Sequence, residues 1–470
     1  MAIIDGGVHV GHSCFKDERG ESRVITIAGA DTGFSVRKEN EIYSDHGIRC
    51  ASAAVGKVTE LKCLKGVSNV PSYTVKGAGS YIGCLISYDV HSVDRREEEH
   101  RLDKTLSIVL QQLEERKIHI ISISMNAWNK KTAAALLYAR DLVFENGLKA
   151  VKHGALICNS AGNNGKLGLS TVTGGLAPWV LSVGSIQTHG KPVTRIVLDD
   201  EDGTECDPDI CAPGDEILCA EGEKGEYGAC SGTSIANACV AGMLAYIKAI
   251  HQDWTSMRLK SAVMTTASYD HLVFNDPTDA LGYGAGIIDV AKAMDPGLVF
   301  DVTNVDCDRY MRNIEKNIPR PGMDFNIPSF SIILDKEKRS YTFKRRLTNI
   351  MNYSCTFRGY FKPYGIFPSS IKVEPKPDQL EFQPGAQKGF ELKVKAKTGG
   401  KAIIDKVAFG RLIWEEVGAD CSHKVECTVV LLSPDFRKNR EVRMNNFEEL
   451  LESEATMRSR SLKLNYFIYS

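Results

Sequence analysis

A serine that opens a helix is chemically poised, because the first backbone N–H groups of a helix lack internal partners and its dipole favours negative charge there. Ser231-Gly232-Thr233-Ser234-Ile235-Ala236-Asn237-Ala238-Cys239-Val240-Ala241 has that form. A glycine-containing turn delivers Ser234, and Val240, Leu244, Ile247 and His251 follow at three- and four-residue spacing, which predicts an amphipathic helix. An attacking oxygen and a developing oxyanion are both stabilised at such a point. On its own the pattern reads first as a serine N-cap. Three other segments change that reading. Met1-Ala2-Ile3-Ile4-Asp5-Gly6-Gly7 is a short apolar run ending in an acid, as a buried strand with Asp at its C-terminal end would read. Asp45-His46-Gly47 precedes the small residues Ala51 to Ala54, which suit a closely packed helix. Ala155-Leu156-Ile157-Cys158-Asn159-Ser160-Ala161-Gly162-Asn163-Asn164-Gly165 is a second apolar strand, running into a Gly-Asn-Asn-Gly turn.

A hydroxyl, an imidazole titrating near neutrality, a carboxylate and a carboxamide are the parts that acyl transfer requires. In the order Asp, His, Asn, Ser, with these local contexts, the chain resembles the subtilisin-like serine proteases, or subtilases. The resemblance implies four roles. Ser234 attacks the scissile carbonyl, and His46 takes its proton and passes it to the leaving amine. Asp5 orients the imidazole and offsets its charge, and Asn163 donates a side-chain N–H to the oxyanion. It also implies that Ser124, Met125 and Asn126, with Ser160, Ala161 and Gly162, hold a polypeptide substrate in extended form, pockets setting specificity. Asp31-Thr32-Gly33 rivals Asp5 for the acid. Asp5 is preferred for the apolar strand before it and the Ser13 to Gly20 segment after it. An aspartic-protease reading of Asp31 needs a second copy of the motif, which the chain lacks.

Longer stretches narrow the resemblance. Asp207-Pro208-Asp209-Ile210-Cys211-Ala212-Pro213-Gly214 looks like the subtilase segment ahead of the serine. His251-Gln252-Asp253-Trp254, Leu259 to Ala267, Gly282-Tyr283-Gly284-Ala285-Gly286 and Ala291 to Val299 are similar to plant, cucumisin-like members. The resemblance spans residues 1–433. Departures cluster at the motifs: Ile48-Arg49 stand in place of Thr-His, Ala238-Cys239 in place of Pro-His, Lys166 in place of Pro, and Asn126 in place of Gly. The protease-associated domain that plant members insert between the Asn and the Ser is missing, since Gly184 to Asp207 is a short polar connection.

The elements that must position these groups divide the chain in two. Residues 1–300 alternate strand-like runs, such as Ile118 to Ser124 and Trp179 to Gly184, with helix-period stretches such as Thr105, Leu106, Val109, Leu110 and Leu113. That alternation predicts an α/β domain with a parallel sheet flanked by helices. Residues 301–325 read as a linker. From 326 to 434, period-two alternation in Tyr341-Thr342-Phe343, Ile371 to Glu374, Gln379 to Phe382 and Phe390 to Val394 predicts an antiparallel β-sandwich. It is similar to the fibronectin type III-like domain of plant subtilases, Phe409-Gly410-Arg411-Leu412-Ile413-Trp414 supplying a Gly-x-Leu-x-Trp strand. Residues 435–470 form a charged tail expected to be disordered, with one possible helix at Asn446 to Ala455.

Composition excludes some partners. The 470 residues carry a formal net charge of −1 and 43% hydrophobic residues, enough for two cores but without the basic field that a nucleic acid or anionic membrane needs. No apolar run reaches the length of a transmembrane helix. No Cys-x-x-Cys pair or Cys/His cluster has zinc spacing, so no metal or other cofactor is assigned, and calcium dependence stays open because no Asp-rich loop has calcium spacing. Most of the 14 cysteines are expected to be buried and free, Cys421 and Cys427 being the closest candidates for a bridge. Asn352-Tyr353-Ser354 is a glycosylation sequon. The chain opens directly into the Asp5 strand with no signal-type n- and h-region, so a mature fragment or a truncated gene model is expected. The resemblance implies an extracellular or cell-wall setting. The activity it implies is a serine endopeptidase using an acyl-enzyme on Ser234. A catalytically degenerate homologue that binds peptides without turnover is the alternative, and an adhesion module built on the sandwich a remote third.

Overall fold

Strands that are apolar on both faces can only be satisfied in the middle of a parallel sheet covered by helices. Ala2, Ile3 and Ile4 are fully inaccessible to solvent, as are Leu156, Ile157 and Cys158. The computed structural model describes residues 1–27, 45–57, 59–60, 74–79, 85–90, 95–124, 142–163, 177–187, 208–222, 226–274, 280–316, 318, 322–335, 340–396, 407–418 and 423–433. Asp31, Met125, Asn126, Lys166, Cys421, most of the 184–207 connection and the 435–470 tail lie outside them.

The chain begins with β1 (Ala2–Asp5), β2 (Val24–Ile27) and α1 (His46–Val55), followed by a ribbon of β3 (Thr59–Glu60) and β4 (Thr74–Val75). Next come β5 (Leu85–Asp89), α2 (Arg95–Gln111), β6 (Ile120–Ile123), α3 (Leu142–Lys152), β7 (Leu156–Ser160), β8 (Leu181–Ile186) and β9 (Ile210–Pro213). The hairpin β10 (Ile217–Glu221) and β11 (Glu226–Cys230) leads into α4 (Thr233–Ile250), α5 (Ser256–Thr265), α6 (Ala280–Tyr283) and α7 (Val290–Ala293). Seven of these strands form one parallel sheet in the order β2-β5-β1-β6-β7-β8-β9. The order reverses beside β1, so the carboxyl ends of β1 and β6 open on a crevice where an α/β sheet places its ligand.

Helix α4 crosses the sheet over β6 to β9, burying Ala236, Val240, Leu244 and Ile247 against Leu156, Leu181 and Val183. By length and hydropathy it could cross a membrane, contrary to the expectation from apolar run lengths, but here it is the central core helix. Helix α1 packs on α4 through small residues. A side chain at Gly242 would collide with the Ala54 carbonyl oxygen, so glycine is what lets the two helices approach.

Strand β12 (Leu298–Val299) leaves the first domain and pairs antiparallel with Thr348 and Asn349 of the second. The segment read as a linker contains α8 (Asn304–Glu315), which is closed by a Thr303–Asp306 capping box. Its Cys307 and Tyr310 pack into the first domain's core beside Trp179. The sandwich consists of β13 (Ser329–Ile333), β14 (Ser340–Asn349), β15 (Cys355–Tyr364), β16 (Ile371–Lys376), β17 (Gln379–Phe382), β18 (Gln387–Ala396), β19 (Val407–Glu416) and β20 (Lys424–Leu432). Its two sheets are ordered β12-β14-β18-β16 and β13-β20-β19-β15-β17. Phe357, Leu392, Trp414 and Val425 fill the space between them. Cys427 is buried in β20 as a free thiol.

Candidate active site

His46 is the first residue of α1, and α1 starts against the loop that follows β1. A Cβ on Gly47 would overlap the Gly7 carbonyl oxygen, so a glycine after the histidine is required for this approach. The contact brings His46 Nδ1 to 2.7 Å from Asp5 Oδ1. An ionised carboxylate only accepts, so Nδ1 carries the proton. In the neutral ring Nε2 is then the basic nitrogen. Gly6 N–H donates to the same Asp5 oxygen at 2.7 Å and fixes the carboxylate. Asp5 is 1% exposed, whereas the His46 side chain is 40% exposed and open to a substrate. Burial pushes the Asp5 carboxyl up, but the His46 charge and the hydrogen bonds outweigh it and hold it below its ordinary value. The Asp5 charge, aided by Cys50 and opposed by burial, raises His46 well above 6.5.

Ser234 sits in the first turn of α4, behind Thr233. Its Oγ donates to the Ser124 carbonyl oxygen at 3.2 Å, and Ser124 Oγ donates back to the Ser234 carbonyl oxygen at 3.2 Å. One turn on, Asn237 Nδ2 reaches Ser122 Oγ at 3.2 Å, the Ile123 carbonyl oxygen at 3.1 Å and Ser124 Oγ at 3.2 Å. This buried amide ties the end of β6 to the serine helix. Cys50, one turn beyond His46, lies 3.9 Å from Nδ1 and 3.8 Å from the Ser234 carbonyl oxygen, filling the space between them.

Asn163 reaches the same helix start from beyond β7. Its Oδ1 accepts the Thr233 N–H at 2.8 Å and the Thr233 hydroxyl at 2.9 Å, capping the first turn of α4. Gly162 N–H donates to Thr233 Oγ1 at 3.2 Å. With the carbonyl side of the amide committed, Nδ2 carries the donors that Asn163 can offer an anion. Ser160, Ala161 and Gly162 are buried and Asn163 is exposed. Ser124 therefore joins the serine directly, and Ser160 to Gly162 lie on the segment that leads to Asn163.

Thr233, Asn237 and Cys50 were not among the residues singled out in the sequence. Helical spacing carried a signal for two of them, since Cys50 is four positions after His46 and Asn237 three after Ser234, hence on the same helix faces. The departures from the family motifs that fall among the described residues lie on α1 and α4. Ile48 is fully buried, Arg49 holds Glu221 at 2.6 Å, and Cys239 Sγ lies 3.9 Å from the Ala53 carbonyl oxygen. Asp5, His46 and Cys50 place one ligand-type atom each within 4.8 Å of one another, a donor set suited to a soft divalent ion. The 2.7 Å Asp5–His46 contact leaves no room for an ion between those two atoms.

Comparison with known proteins follows the same division. A subtilase family model matches residues 1–286, and a fibronectin type-III domain model matches residues 324–431. Among curated proteins of Arabidopsis thaliana, subtilisin-like protease SBT3.13 is 32% identical over 240 residues, covering 44% of this chain and 30% of that protein. Subtilisin-like protease SBT4.14 is 28% identical over 261 residues, covering 48% of this chain and 33% of that protein. The chain thus spans about a third of the length of the curated relatives it matches. Among solved structures, the prenylagaramide maturation protease PagA aligns with a TM-score of 0.43 at 20% identity, covering 63% of this chain and 92% of that one. The chain belongs to the subtilase family, carries a fibronectin type-III domain behind its subtilase domain, and has plant subtilisin-like proteases as homologues.

Proposed function

We propose that the protein is a serine endopeptidase that cleaves polypeptides through an acyl-enzyme on Ser234. The observation that carries this reading is the Asp5–His46 contact of 2.7 Å, made beside a helix start that presents Ser234 and is capped by Asn163. Ser234 Oγ rotates from the Ser124 carbonyl towards His46 Nε2 and attacks the scissile carbonyl as its proton passes to Nε2. The oxyanion takes its donors from Asn163 Nδ2 and from the backbone N–H of Ser234 in the first turn of α4. His46 then gives the proton to the leaving amine, and water enters by the reverse sequence to release the acid and regenerate Ser234. Asp5 keeps the imidazole in the tautomer that this sequence needs. The substrate lies extended along Ser124 to Asn126 and Ser160 to Gly162. By family likeness the setting is extracellular or the cell wall.

Labelling with a fluorophosphonate probe tests the reading. Folded protein becomes labelled on Ser234, and Ser234→Ala loses both labelling and peptidase activity by about 10⁴-fold or more. Absence of Ser234-dependent labelling from a folded, full-length sample would sink the peptidase reading and leave a peptide-binding homologue.

A further inference from the structure

The hairpin that delivers Ser234 carries a thiol pair that the peptidase chemistry does not use. In β10–β11, Ile217 faces Cys230 and Cys219 faces Gly228. Paired and alternate residues of an antiparallel ribbon share a face, so Cys219 and Cys230 are diagonal neighbours on one side of it. Gly228, opposite Cys219, leaves a gap, and the Glu221 carboxylate leans into it, within 4.0 Å of Cys230 Sγ. That carboxylate also holds Arg49 of α1 at 2.6 Å. The two cysteines are 0% and 7% exposed and pack in one cluster with Ile48, Cys50 and Ala51 of α1.

We propose that Cys219 and Cys230 are a modification site for a peroxide oxidant, closing reversibly to a disulfide across the hairpin that carries Ser234. Cys230 reacts first, being the more exposed of the two. Cys219, its diagonal neighbour on the same face of the hairpin, lowers the Cys230 pKa; burial and the Glu221 carboxylate oppose, and Arg49 adds to the lowering. The neighbouring Cys230, with burial, holds Cys219 in its thiol form. Burial pushes the nearby Cys14 and Cys239 up to about 12, so those thiols stay protonated. The Cys230 thiolate sulfur attacks hydrogen peroxide, the O–O bond breaks, and hydroxide leaves Cys230 as a sulfenic acid. The Cys219 sulfur then attacks the Cys230 sulfur, the S–O bond breaks, and the departing hydroxyl takes the Cys219 proton as water. Two thiols are oxidised and one peroxide is reduced.

Cys230 lies four positions before Ser234, and Glu221 grips α1 three positions after His46. The site itself does not depend on the peptidase reading.

Reduced full-length protein is titrated with hydrogen peroxide, alkylated and peptide-mapped, in wild type and in Ser234→Ala. The expected first product in both is a Cys219–Cys230 linked peptide that dithiothreitol dissolves. In Cys219→Ala, the expected product is a dimedone-trapped sulfenic acid on Cys230. Oxidation beginning at another cysteine, or full alkylation of Cys219 and Cys230 after other thiols have reacted, overturns the proposal. The wild-type map decides even if Cys219→Ala fails to fold.

Discussion

Asn163 shows how a single side chain can serve two elements at once. Its carbonyl oxygen caps α4 through Thr233, which leaves the amide nitrogen for an anion. Asn163→Leu keeps the size and removes both functions, so turnover is expected to fall on the order of 100- to 1,000-fold with KM much less affected. Steady-state kinetics on a peptide substrate check this. On the proposed mechanism, the Asp5–His46 pair sets the pH response. A base must be neutral, and His46 is raised above 6.5 chiefly by the Asp5 charge, so labelling should rise with pH to a midpoint above 6.5. Asp5→Asn should move that midpoint down and lower the plateau. The same pair is linked to folding. The raised His46 contributes stability below 6.5 that is lost as pH rises through its folded value, and the lowered Asp5 contributes stability above 3.8 that is lost as pH falls through its own. Asp5, His46, Asn163 and Ser234, the proposed catalytic set, could be singled out in the sequence because each sits in a local motif with its own turn chemistry. Cys50, Thr233 and Asn237 could not, because their bonds exist only once α1, β6 and α4 have met.

At the scale of elements, α1, which begins with His46, packs closely on α4, which presents Ser234 in its first turn. Gly242 has no side chain where Ala54 presses, and Val at that position must push α1 away. Gly242→Val is expected to destabilise by about 1–3 kcal/mol in urea unfolding and also to slow fluorophosphonate labelling, although it touches no reacting group. A normal labelling rate in a destabilised variant would show that the crossing does not control the site. The parallel strands were legible because burial on both faces demands unbroken apolar runs, as in Ala2-Ile3-Ile4. Helix α8 was hidden by its polarity, since only Cys307, Tyr310 and a few partly buried neighbours face the core. The membrane-like hydropathy of α4 has the opposite origin, a helix surrounded by sheet and helices.

Across the whole molecule, the two domains meet through charge as well as apolar packing. His423 in the sandwich stands between Glu416 at 2.8 Å and Asp295, just after α7, at 3.2 Å. Burial lowers its pKa, but the hydrogen bonds to Glu416 and Asp295 outweigh it and the net shift is upward. Its contribution to docking is therefore full below 6.5 and is lost as pH rises through the folded value. His423→Phe is expected to flatten that part of the pH dependence of thermal stability, which calorimetry at several pH values would record. The fibronectin-like sandwich was legible as alternating strands, but its attachment was not, because docking residues look like any other strand residues. Arg411 illustrates the point. From β19 it donates to the Ala267 carbonyl oxygen at 3.0 Å and to that of Ala285, stacks 3.8 Å over Tyr269 and pairs with Glu426. Phe409 and Val430 beside it share a core with Ala161 and Tyr283. A recombinant fragment trimmed at residue 300 would therefore carry a raw apolar wound directly behind the segment that leads from β7 to Asn163, and cloning the subtilase portion alone should yield aggregates instead of a smaller folded protein.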